Sequence, residues 1–444
     1  MRKKPTIEFS EQLEMLYPEE TIGKSKVGAR SVTMQVTDSC NLRCTYCYQI
    51  DKHNNFMSLE TGKKFIDYLL RDDNPYINTS NSFGIILEFI GGEPLLAIDN
   101  IAQFTEYFIS EMVRLNHPWL TYFRISICSN GTLYFDPKFQ EYLRRYNKFI
   151  SFSISIDGNK ELHDTCRIFP DGSGSYDKAV TAAKHYREHY NRNVSTKMTL
   201  SPFNISRTFE AVVNLINEGY TEINLNCVFE EGWTKELAAI YYYQLKKLAD
   251  YILDNKLYDD IYISRFSPDG GQPMPPSENK NFCGGLGEMM AVNYTGNIYP
   301  CLRYMESSLG TDVEPVIIGD LETGIMSNDK YSELVNLMKS QTRRSQSTDE
   351  CFYCPIASGC SWCSAYCYQY YKKFGKRTTF TCDTHKAEVL ANAYYWNRFF
   401  LQVDEKEYHI CHVPEEWAVE IIPQEEYDMI KKLEADAIEH ATSK

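Results

Sequence analysis

Apolar and polar residues alternate in blocks along the first half of the chain, and this pattern predicts strands and helices in turn. Short runs rich in β-branched and aromatic residues predict largely buried strands at 31–37, 85–90, 123–128, 150–156, 194–200 and 223–229. Amphipathic segments between them predict helices at 59–70, 101–115, 137–145, 176–189 and 206–218. We therefore predict an α/β fold with a parallel sheet and right-handed crossovers. Six β/α units are fewer than the eight of a closed barrel, so we expect an open, partial (β/α)6 barrel of the TIM type.

The second half of the chain differs in composition. A helix is predicted at 235–255, and the proline- and glycine-rich stretch 267–276 predicts a linker. Eight of the fifteen cysteines fall between Cys283 and Cys382, and helices are predicted near 386–400 and up to about residue 438. We expect an N-terminal extension, a barrel domain, a bridging helix with a linker, a small Cys-rich domain and a C-terminal helical segment. The predicted boundaries are 1–30, 31–232, 233–282, 283–383 and 384–444.

Charge and hydropathy limit the partners of the chain. Its 46 basic and 60 acidic residues give a net charge of −14, which argues against nucleic acid as the main partner. No apolar stretch reaches the length of a membrane span, and the basic residues 1–4 are not followed by the apolar core of a signal peptide. Cysteines clustered at metal-ligand spacings are typical of a cytoplasmic protein, so we predict that location and no membrane partner.

Three cysteines, Cys40, Cys44 and Cys47, lie within eight residues directly after the first predicted strand. A loop at the carboxyl end of a strand is where α/β barrels carry their chemistry. Three thiolates at this spacing can hold a [4Fe–4S] cluster and leave one of its four irons open to a small molecule. A zinc site is the alternative, but zinc sites usually combine paired C-x2-C segments into four ligands.

The cysteine triad, with Tyr46 before its last cysteine, resembles the radical S-adenosylmethionine (radical SAM) enzymes. Further motifs of that family follow later strands in order, namely Gly91-Gly92-Glu93-Pro94, Ser129-Asn130, Ser155-Ile156-Asp157 and His163-Asp164-Thr165-Cys166-Arg167. The resemblance implies a catalytic cluster on the triad and cleavage of SAM to a 5′-deoxyadenosyl radical. It also implies which residues bind SAM: the amino group at Gly91, Gly92 and Glu93, the ribose at Ser129, Asn130, Ser155 and Asp157, the carboxylate at Arg167, and adenine at Tyr46 and, by position only, Val228.

The Cys-rich region resembles the SPASM extension of radical SAM enzymes. Its pattern is C-x12-G-x4-C from Cys283 to Cys301, C-x2-C-x5-C from Cys351 to Cys360, and then Cys363, Cys367 and Cys382. The resemblance implies two auxiliary [4Fe–4S] clusters and therefore three clusters in all. One would take Cys351, Cys354, Cys360 and Cys382, and the other Cys283, Cys301 and Cys363, with Cys367 as the alternative to Cys363. No cysteine lies between Cys283 and Cys301 to act as a fourth ligand of the second cluster. One or two zinc sites are the alternative in this region.

Four other cysteines, Cys128, Cys166, Cys227 and Cys411, fit no ligand pattern. The first three lie in or beside predicted barrel elements, where a free cysteine is usually a small core residue. We interpret Cys411 as a buried or incidental thiol.

Three reactions of the family compete for this chain. The segment 354–366 and the helix at 386–396 resemble maturases of peptides with Cys-x-x-x repeats, which implies thioether bonds in a ribosomally made, Cys-rich peptide. A sister cyclase would form carbon–carbon links instead. A sulfatase-type maturase would make formylglycine, but such maturases carry an aspartate directly after the cysteine that Cys301 matches, where this chain has Leu302. A non-catalytic iron–sulfur electron carrier is the alternative from another class, and it would need neither Gly91-Gly92-Glu93-Pro94 nor Arg167.

The resemblance also implies two partners, a precursor peptide and an electron donor such as a flavodoxin or ferredoxin. About thirty residues precede the first predicted strand, too few for a leader-binding domain. We therefore expect recognition of the peptide leader by the barrel, by the terminal helices or by a separate protein.

Overall fold

The computed structural model describes residues 28–268, 270, 275, 277–279, 283–357, 360, 362–403 and 413–442. The strands in these ranges are β1 (Ala29–Gln35), β2 (Gly84–Ile90), β3 (Phe123–Ser129), β4 (Ile150–Ile154), β5 (Ser195–Leu200), β6 (Glu222–Cys227), β7 (Tyr262–Ile263), β8 (Met290–Val292), β9 (Asn297–Tyr299), β10 (Gly319–Asp320) and β11 (Gly324–Ile325).

The α-helices of the same ranges include long, amphipathic helices and several single turns. They are α1 (Leu59–Leu69), α2 (Ile98–Leu115), α3 (Pro137–Tyr146), α4 (Lys160–Cys166), α5 (Tyr176–Tyr190), α6 (Thr208–Asn217), α7 (Lys235–Asp254), α8 (Glu306–Leu309), α9 (Asp329–Lys339), α10 (Arg343–Gln346), α11 (Asp349–Phe352), α12 (Ser364–Tyr371), α13 (Cys382–Val403), α14 (Glu415–Ala418) and α15 (Gln424–Thr442). In the part of the chain that the structure describes, no helix combines the length and the apolar character needed to cross a bilayer.

Local sequence explains where these elements begin and which face they bury. The side chain of Asp136 accepts a hydrogen bond from the amide of Lys138, and Pro137 occupies the first turn of α3, where a missing N–H costs nothing. Along β2, Ile85, Leu87 and Phe89 are fully buried because alternate side chains of a strand point to the same face.

The chain forms two compact units, each assembled from separate segments. The first contains the described residues of Met1–Arg43, Cys47–Ser153 and Gly284–Ser340. Its strands β2 and β3 follow β1 in parallel, and β8 pairs in parallel with the other edge of β1. Strands β9, β10 and β11 then continue from β8 by antiparallel pairs. Helices α1 and α2 pack against each other in this unit.

The second unit contains the described residues of Cys44–Tyr46, Ile154–Cys283 and Gln341–Lys444. Strands β5, β6 and β7 are parallel neighbours. Helix α13 packs against both α7 and α15. The rings of Phe266 and Tyr395 stack with centroids 4.4 Å apart, and the buried Glu388 of α13 pairs with Arg265 at 3.2 Å.

The predicted elements of the first half are confirmed, with ends shifted by up to three residues, and the predicted helices at 235–255 and 386–400 are found as α7 and α13. Helix α4 and the short strands β7 to β11 were not predicted, because two to seven residues carry too little periodicity. The domain boundaries stay predictions, and the compact units group the chain differently. Residues 1–27 and Cys411 lie outside the described residues.

Candidate cofactor-binding and iron–sulfur sites

The glycine pair after β2 lies directly against the loop that carries the first cysteine. A Cβ atom added to Gly91 would meet the carbonyl oxygen of Thr37 at 2.4 Å, and one added to Gly92 would meet the Ser39 oxygen at 2.4 Å and the Cys40 Cβ at 2.6 Å. The Gly92 amide donates to the Thr37 carbonyl at 3.3 Å. Two glycines are required here because backbone approaches backbone too closely for any side chain. The loop of the first predicted ligand is therefore shaped by this pair.

An asparagine network ties the same loop to the end of β3. The Asn41 amide donates to Thr132 Oγ1 at 2.8 Å, and Asn130 donates in turn to Asn41 Oδ1 at 2.8 Å. The Leu42 amide points at the Cys40 sulfur, 3.4 Å away. An amide aimed at a sulfur favours the thiolate form that a cluster ligand needs. Asn41 was not predicted as a site residue, although it lies inside the cysteine motif.

Glu93 is buried, and its carboxylate accepts three hydrogen bonds from protein groups. Its carboxylate accepts hydrogen bonds from the Ser129 hydroxyl at 2.8 Å, the Asn130 amide at 2.8 Å and the Leu95 amide at 3.1 Å. Burial raises the pKa of Glu93 to about 7, although the three hydrogen bonds oppose the shift. The structure thus brings three of the predicted SAM-binding residues together around one carboxylate at the ends of β2 and β3.

In the second unit, Asp157 binds two further predicted residues, Tyr46 and Arg167. Its fully buried carboxylate accepts hydrogen bonds from the Tyr46 hydroxyl, from Arg167 Nε at 2.8 Å and Nη2 at 3.3 Å, and from the Thr199 amide at 3.0 Å. The Arg167 guanidinium also lies 5.4 Å from the centre of the Tyr46 ring. Burial raises the pKa of Tyr46 well above its ordinary value, so its hydroxyl stays protonated and donates.

His163 helps to position both Asp157 and Arg167. The Asp157 amide donates to His163 Nδ1 at 3.3 Å, so the proton lies on Nε2, which donates to the Ser175 hydroxyl at 3.0 Å. That hydroxyl donates to the Arg167 carbonyl at 2.8 Å. Burial lowers the pKa of His163 to about 4, so the ring is neutral at physiological pH. The predicted motif contributes a positioning histidine as well as the arginine.

The other two predicted SAM-binding residues, Ser155 and Val228, are half-buried. Ser155 follows β4, and Val228 follows β6, where its amide donates to the Leu200 carbonyl at 2.9 Å. The Trp233 indole donates to the Val228 carbonyl at 3.0 Å. Both residues lie at strand ends, and their contacts with a ligand stay a prediction.

The four cysteines assigned to one auxiliary cluster, Cys351, Cys354, Cys360 and Cys382, all belong to the second unit. Burial raises the pKa of the Cys354 thiol to about 11, and the neighbouring Cys360 and Cys351 thiols add to this shift. Cys351 lies in α11, Cys354 and Cys360 lie between α11 and α12, and Cys382 begins α13. Four thiols in one region are a donor set that suits iron–sulfur or zinc. Within the described ranges, no three Cys, His, Asp or Glu side chains converge on a single metal position, so the ligand sets stay predictions.

The structure distinguishes Cys363 from its alternative, Cys367. Cys363 is half-buried and lies at the N-terminus of α12, and the Cys283 sulfur contacts the next residue, Ser364, at 2.9 Å. The sulfur of Cys367 is buried and accepts a hydrogen bond from the Thr378 amide at 3.3 Å. The two cysteines therefore have different surroundings, and the choice of Cys363 as the ligand stays a prediction.

The cysteines outside the patterns occupy ordinary positions. Cys166 and Cys227 are buried and Cys128 is half-buried in β3. The Cys166 carbonyl accepts a hydrogen bond from the Thr45 amide at 3.0 Å, which joins α4 to the cysteine loop.

One family model matches the part of the chain that carries the first cysteine motif. Residues 34–216 match the family model described as the Radical SAM superfamily. The chain is 34% identical over 148 residues to an uncharacterized protein of Methanocaldococcus jannaschii, a match that covers 33% of this chain and 45% of that protein. It is 31% identical over 159 residues to a cysteine-type anaerobic sulfatase-maturating enzyme of Clostridium novyi, covering 35% of this chain and 40% of the relative. The chain therefore spans less than half the length of these relatives.

Solved structures share the fold over more of the chain. Native anSMEcpe with bound AdoMet and Kp18Cys peptide superposes with a TM-score of 0.59 at 16% identity, covering 84% of this chain and 99% of that one. Streptococcus suis SuiB bound to precursor peptide SuiA gives a TM-score of 0.51 at 12% identity, covering 76% and 72%. These likenesses confirm the predicted α/β partial-barrel fold with a C-terminal extension. The number of clusters stays a prediction.

The Gly92→Ala variant should lose the iron–sulfur cluster that is predicted on the first cysteine motif. The new methyl group would overlap the backbone of Ser39 and the Cβ of Cys40, so the cysteine loop must shift. We expect iron and sulfide analysis of the reconstituted protein to fall by one cluster's worth. Gly172→Ala is the control, because alanine is strained there by the positive φ of 84° but meets nothing within 4 Å, and it should keep its iron. Full iron content in the Gly92 variant would show that the loop tolerates the methyl group.

Glu93→Gln should change how stability depends on pH. Because the folded pKa of Glu93 is raised to about 7, the folded chain binds an extra proton between about pH 4.5 and 7, and stability falls as pH rises through that range. Glutamine cannot titrate. The unfolding free energy of the variant relative to the wild type should therefore rise by roughly 2–3 kcal/mol between pH 5 and pH 8. A difference that stays constant in urea titrations at both pH values would refute this.

Asp157→Asn should destabilise the second unit strongly. It leaves the buried guanidinium of Arg167 without a counter-charge, at a cost of about 3–5 kcal/mol. The control is Asp177→Asn, since Asp177 pairs with Lys160 on the surface and the loss should stay below about 1 kcal/mol. Urea unfolding measures both variants, and equal losses would show that the Asp157 pair contributes no more than a surface pair.

Proposed function

Because residues 34–216 match the Radical SAM superfamily model, we propose that the chain modifies a ribosomally made, Cys-rich peptide by forming thioether bonds from cysteine sulfur to carbon. The observation that separates this reaction from formylglycine formation is the environment of Leu302. The proposed site residues are the predicted ligands of the SAM cluster, the predicted SAM-binding residues and the predicted ligands of the two auxiliary clusters.

Leu302 directly follows Cys301 and begins a short 3-10 helix, Leu302–Tyr304. Its side chain packs against a buried cluster of Ala291, Tyr299 and Met305. An aliphatic side chain cannot accept a proton, so a formylglycine-forming reaction would have no base at this position. The next residue, Arg303, lies 4.7 Å from the centre of the Tyr48 ring and is a cation, so it cannot serve as that base either.

The structural relatives support a peptide substrate. The anSMEcpe structure contains AdoMet together with the Kp18Cys peptide, and the SuiB structure contains the precursor peptide SuiA. We propose the same class of partner for this chain, together with an electron donor such as a flavodoxin or ferredoxin. The predicted ligand set of Cys283, Cys301 and Cys363 further supports sulfur chemistry, because three cysteines would leave one iron of that cluster open to a substrate thiolate, and thiolates are typical ligands of iron–sulfur clusters.

When bound, the cluster and SAM supply a radical that removes a hydrogen atom from the peptide. The protein's own residues hold and orient these groups. Cys40, Cys44 and Cys47 would ligate the cluster, and Asp157 fixes the positions of Tyr46 and Arg167. Each thioether replaces one S–H and one C–H bond by a C–S bond. One hydrogen leaves as an atom to 5′-deoxyadenosine, and the other as a proton with one electron that passes to the iron–sulfur or flavin carrier.

Formylglycine formation is the second candidate, because a sulfatase-maturating enzyme is among the relatives. It differs in product, since it oxidises a cysteine or serine side chain and forms no crosslink. A carbon–carbon cyclase differs again, since its product keeps every thiol free.

The deciding experiment is mass spectrometry of a peptide with Cys-x-x-x repeats after incubation with reconstituted enzyme, SAM and reductant. We expect each bridge to remove two hydrogens, protect one cysteine from iodoacetamide and yield one 5′-deoxyadenosine. The control is the Cys40/Cys44/Cys47→Ala variant, which should yield no 5′-deoxyadenosine.

Other outcomes select the alternatives. Loss of two hydrogens with every cysteine still alkylated would favour a carbon–carbon link. An aldehyde trapped by a hydrazine would favour formylglycine. A wild-type protein that neither binds nor cleaves SAM would favour an electron carrier.

A further inference from the structure

Arg377 makes an unusual contact in the second unit. Its Nη2 atom donates a hydrogen bond to the sulfur of Cys360 at 3.1 Å, and its guanidinium lies 5.0 Å from the centre of the Trp362 ring. The side chain is half-buried in the loop between α12 and α13. A cation stacked on an indole and bonded to a sulfur is held in place from two sides.

The charge of Arg377 is directed at thiols. Among the described residues, Arg377 forms no ion pair with Asp or Glu, whereas it interacts electrostatically with Cys360, Cys351 and Cys382. Arginine stays protonated throughout the physiological pH range. Its positive charge therefore acts on the predicted cluster ligands without being neutralised locally.

We propose that Arg377 sets the reduction potential of the auxiliary cluster assigned to Cys351, Cys354, Cys360 and Cys382. Cluster potentials depend on net charge and on hydrogen bonds to the sulfurs. Reduction adds one electron to the cluster, and a fixed cation bonded to a ligand sulfur stabilises this more negative form. No proton accompanies the electron, because the guanidinium is already charged. The inference rests on the proposed cluster assignment, but it does not depend on the peptide reaction.

This role makes Arg377 the feature that holds this cluster at a higher potential, where it accepts an electron more readily. Lysine would keep the charge but would lose the planar fork that reaches the sulfur while stacking on Trp362. Glutamine would lose both the charge and the charge-assisted hydrogen bond. The two substitutions therefore separate the effect of charge from the effect of geometry.

The test is a redox titration of the full-length chain, monitored by electron paramagnetic resonance and without any peptide. The Cys40/Cys44/Cys47→Ala background removes the SAM cluster and leaves the auxiliary couples. Arg377→Gln should lower one couple by about tenfold in its reduction equilibrium constant, which is ~59 mV for one electron. The other couple is the internal control. Arg377→Lys should give a smaller decrease, equal at pH 7 and pH 9.

Lys376→Gln is the matched control, because Lys376 is exposed and lies over the Tyr371 ring at 4.0 Å. It removes the same charge one residue away and should leave both couples unchanged.

Equal shifts in the Lys376 and Arg377 variants, or no shift in either Arg377 variant, would overturn the proposal. Zinc in place of iron on these four cysteines would overturn it as well. If the Arg377→Gln variant does not retain the cluster, the reduction potential of the Arg377→Lys variant is the test. A decrease relative to the wild type supports the proposal, and an unchanged potential overturns it. Loss of thioether formation alone would leave the proposal intact.

Discussion

The second unit depends on one buried carboxylate. Asp157 is fully removed from solvent, and an isolated charge in that position would be prohibitively costly. It is tolerated because Tyr46, Arg167 and Thr199 all donate to it. These donors come from the cysteine loop, from the residue after α4 and from β5. Saturating one charge therefore fixes three segments that are far apart in sequence, which is how a buried polar network specifies a single arrangement.

In the first unit, close packing of backbone against backbone positions the predicted residues. Gly91 and Gly92 allow the strand end to touch the backbone of the cysteine loop, and Asn41 then locks that loop to β3. Glu93 completes the arrangement by collecting donors from the next strand end. Close packing alone would leave the loop free to slide, whereas the hydrogen bonds fix its register. Both units thus position predicted SAM-binding residues through contacts between protein groups.

The sequence was sufficient for local patterns and insufficient for long-range partners. The six strands of the first half were predictable because buried runs such as residues 85–90 are strongly apolar, and the cysteine spacing lies within eight residues. The bond between Tyr46 and Asp157 was not predictable, because 111 residues separate them. The hydrogen bond from the Thr199 amide to Asp157 was not predictable for the same reason. Helix α4 was missed because seven residues are too few for a periodic signal, yet it carries His163, which orients Arg167.

The parallel pairing of β8 with β1 has a consequence for how the protein can be divided. Val32, Thr33 and Met34 of β1 face Met290, Ala291 and Val292 of β8. A chain ended before β8 would leave that edge of β1 with unpaired N–H and C=O groups beside buried apolar residues. Such an edge invites pairing with other molecules. Pairing with β8 thus protects this edge of β1, so the segment that carries the first cysteine motif should be expressed together with the segment that carries β8.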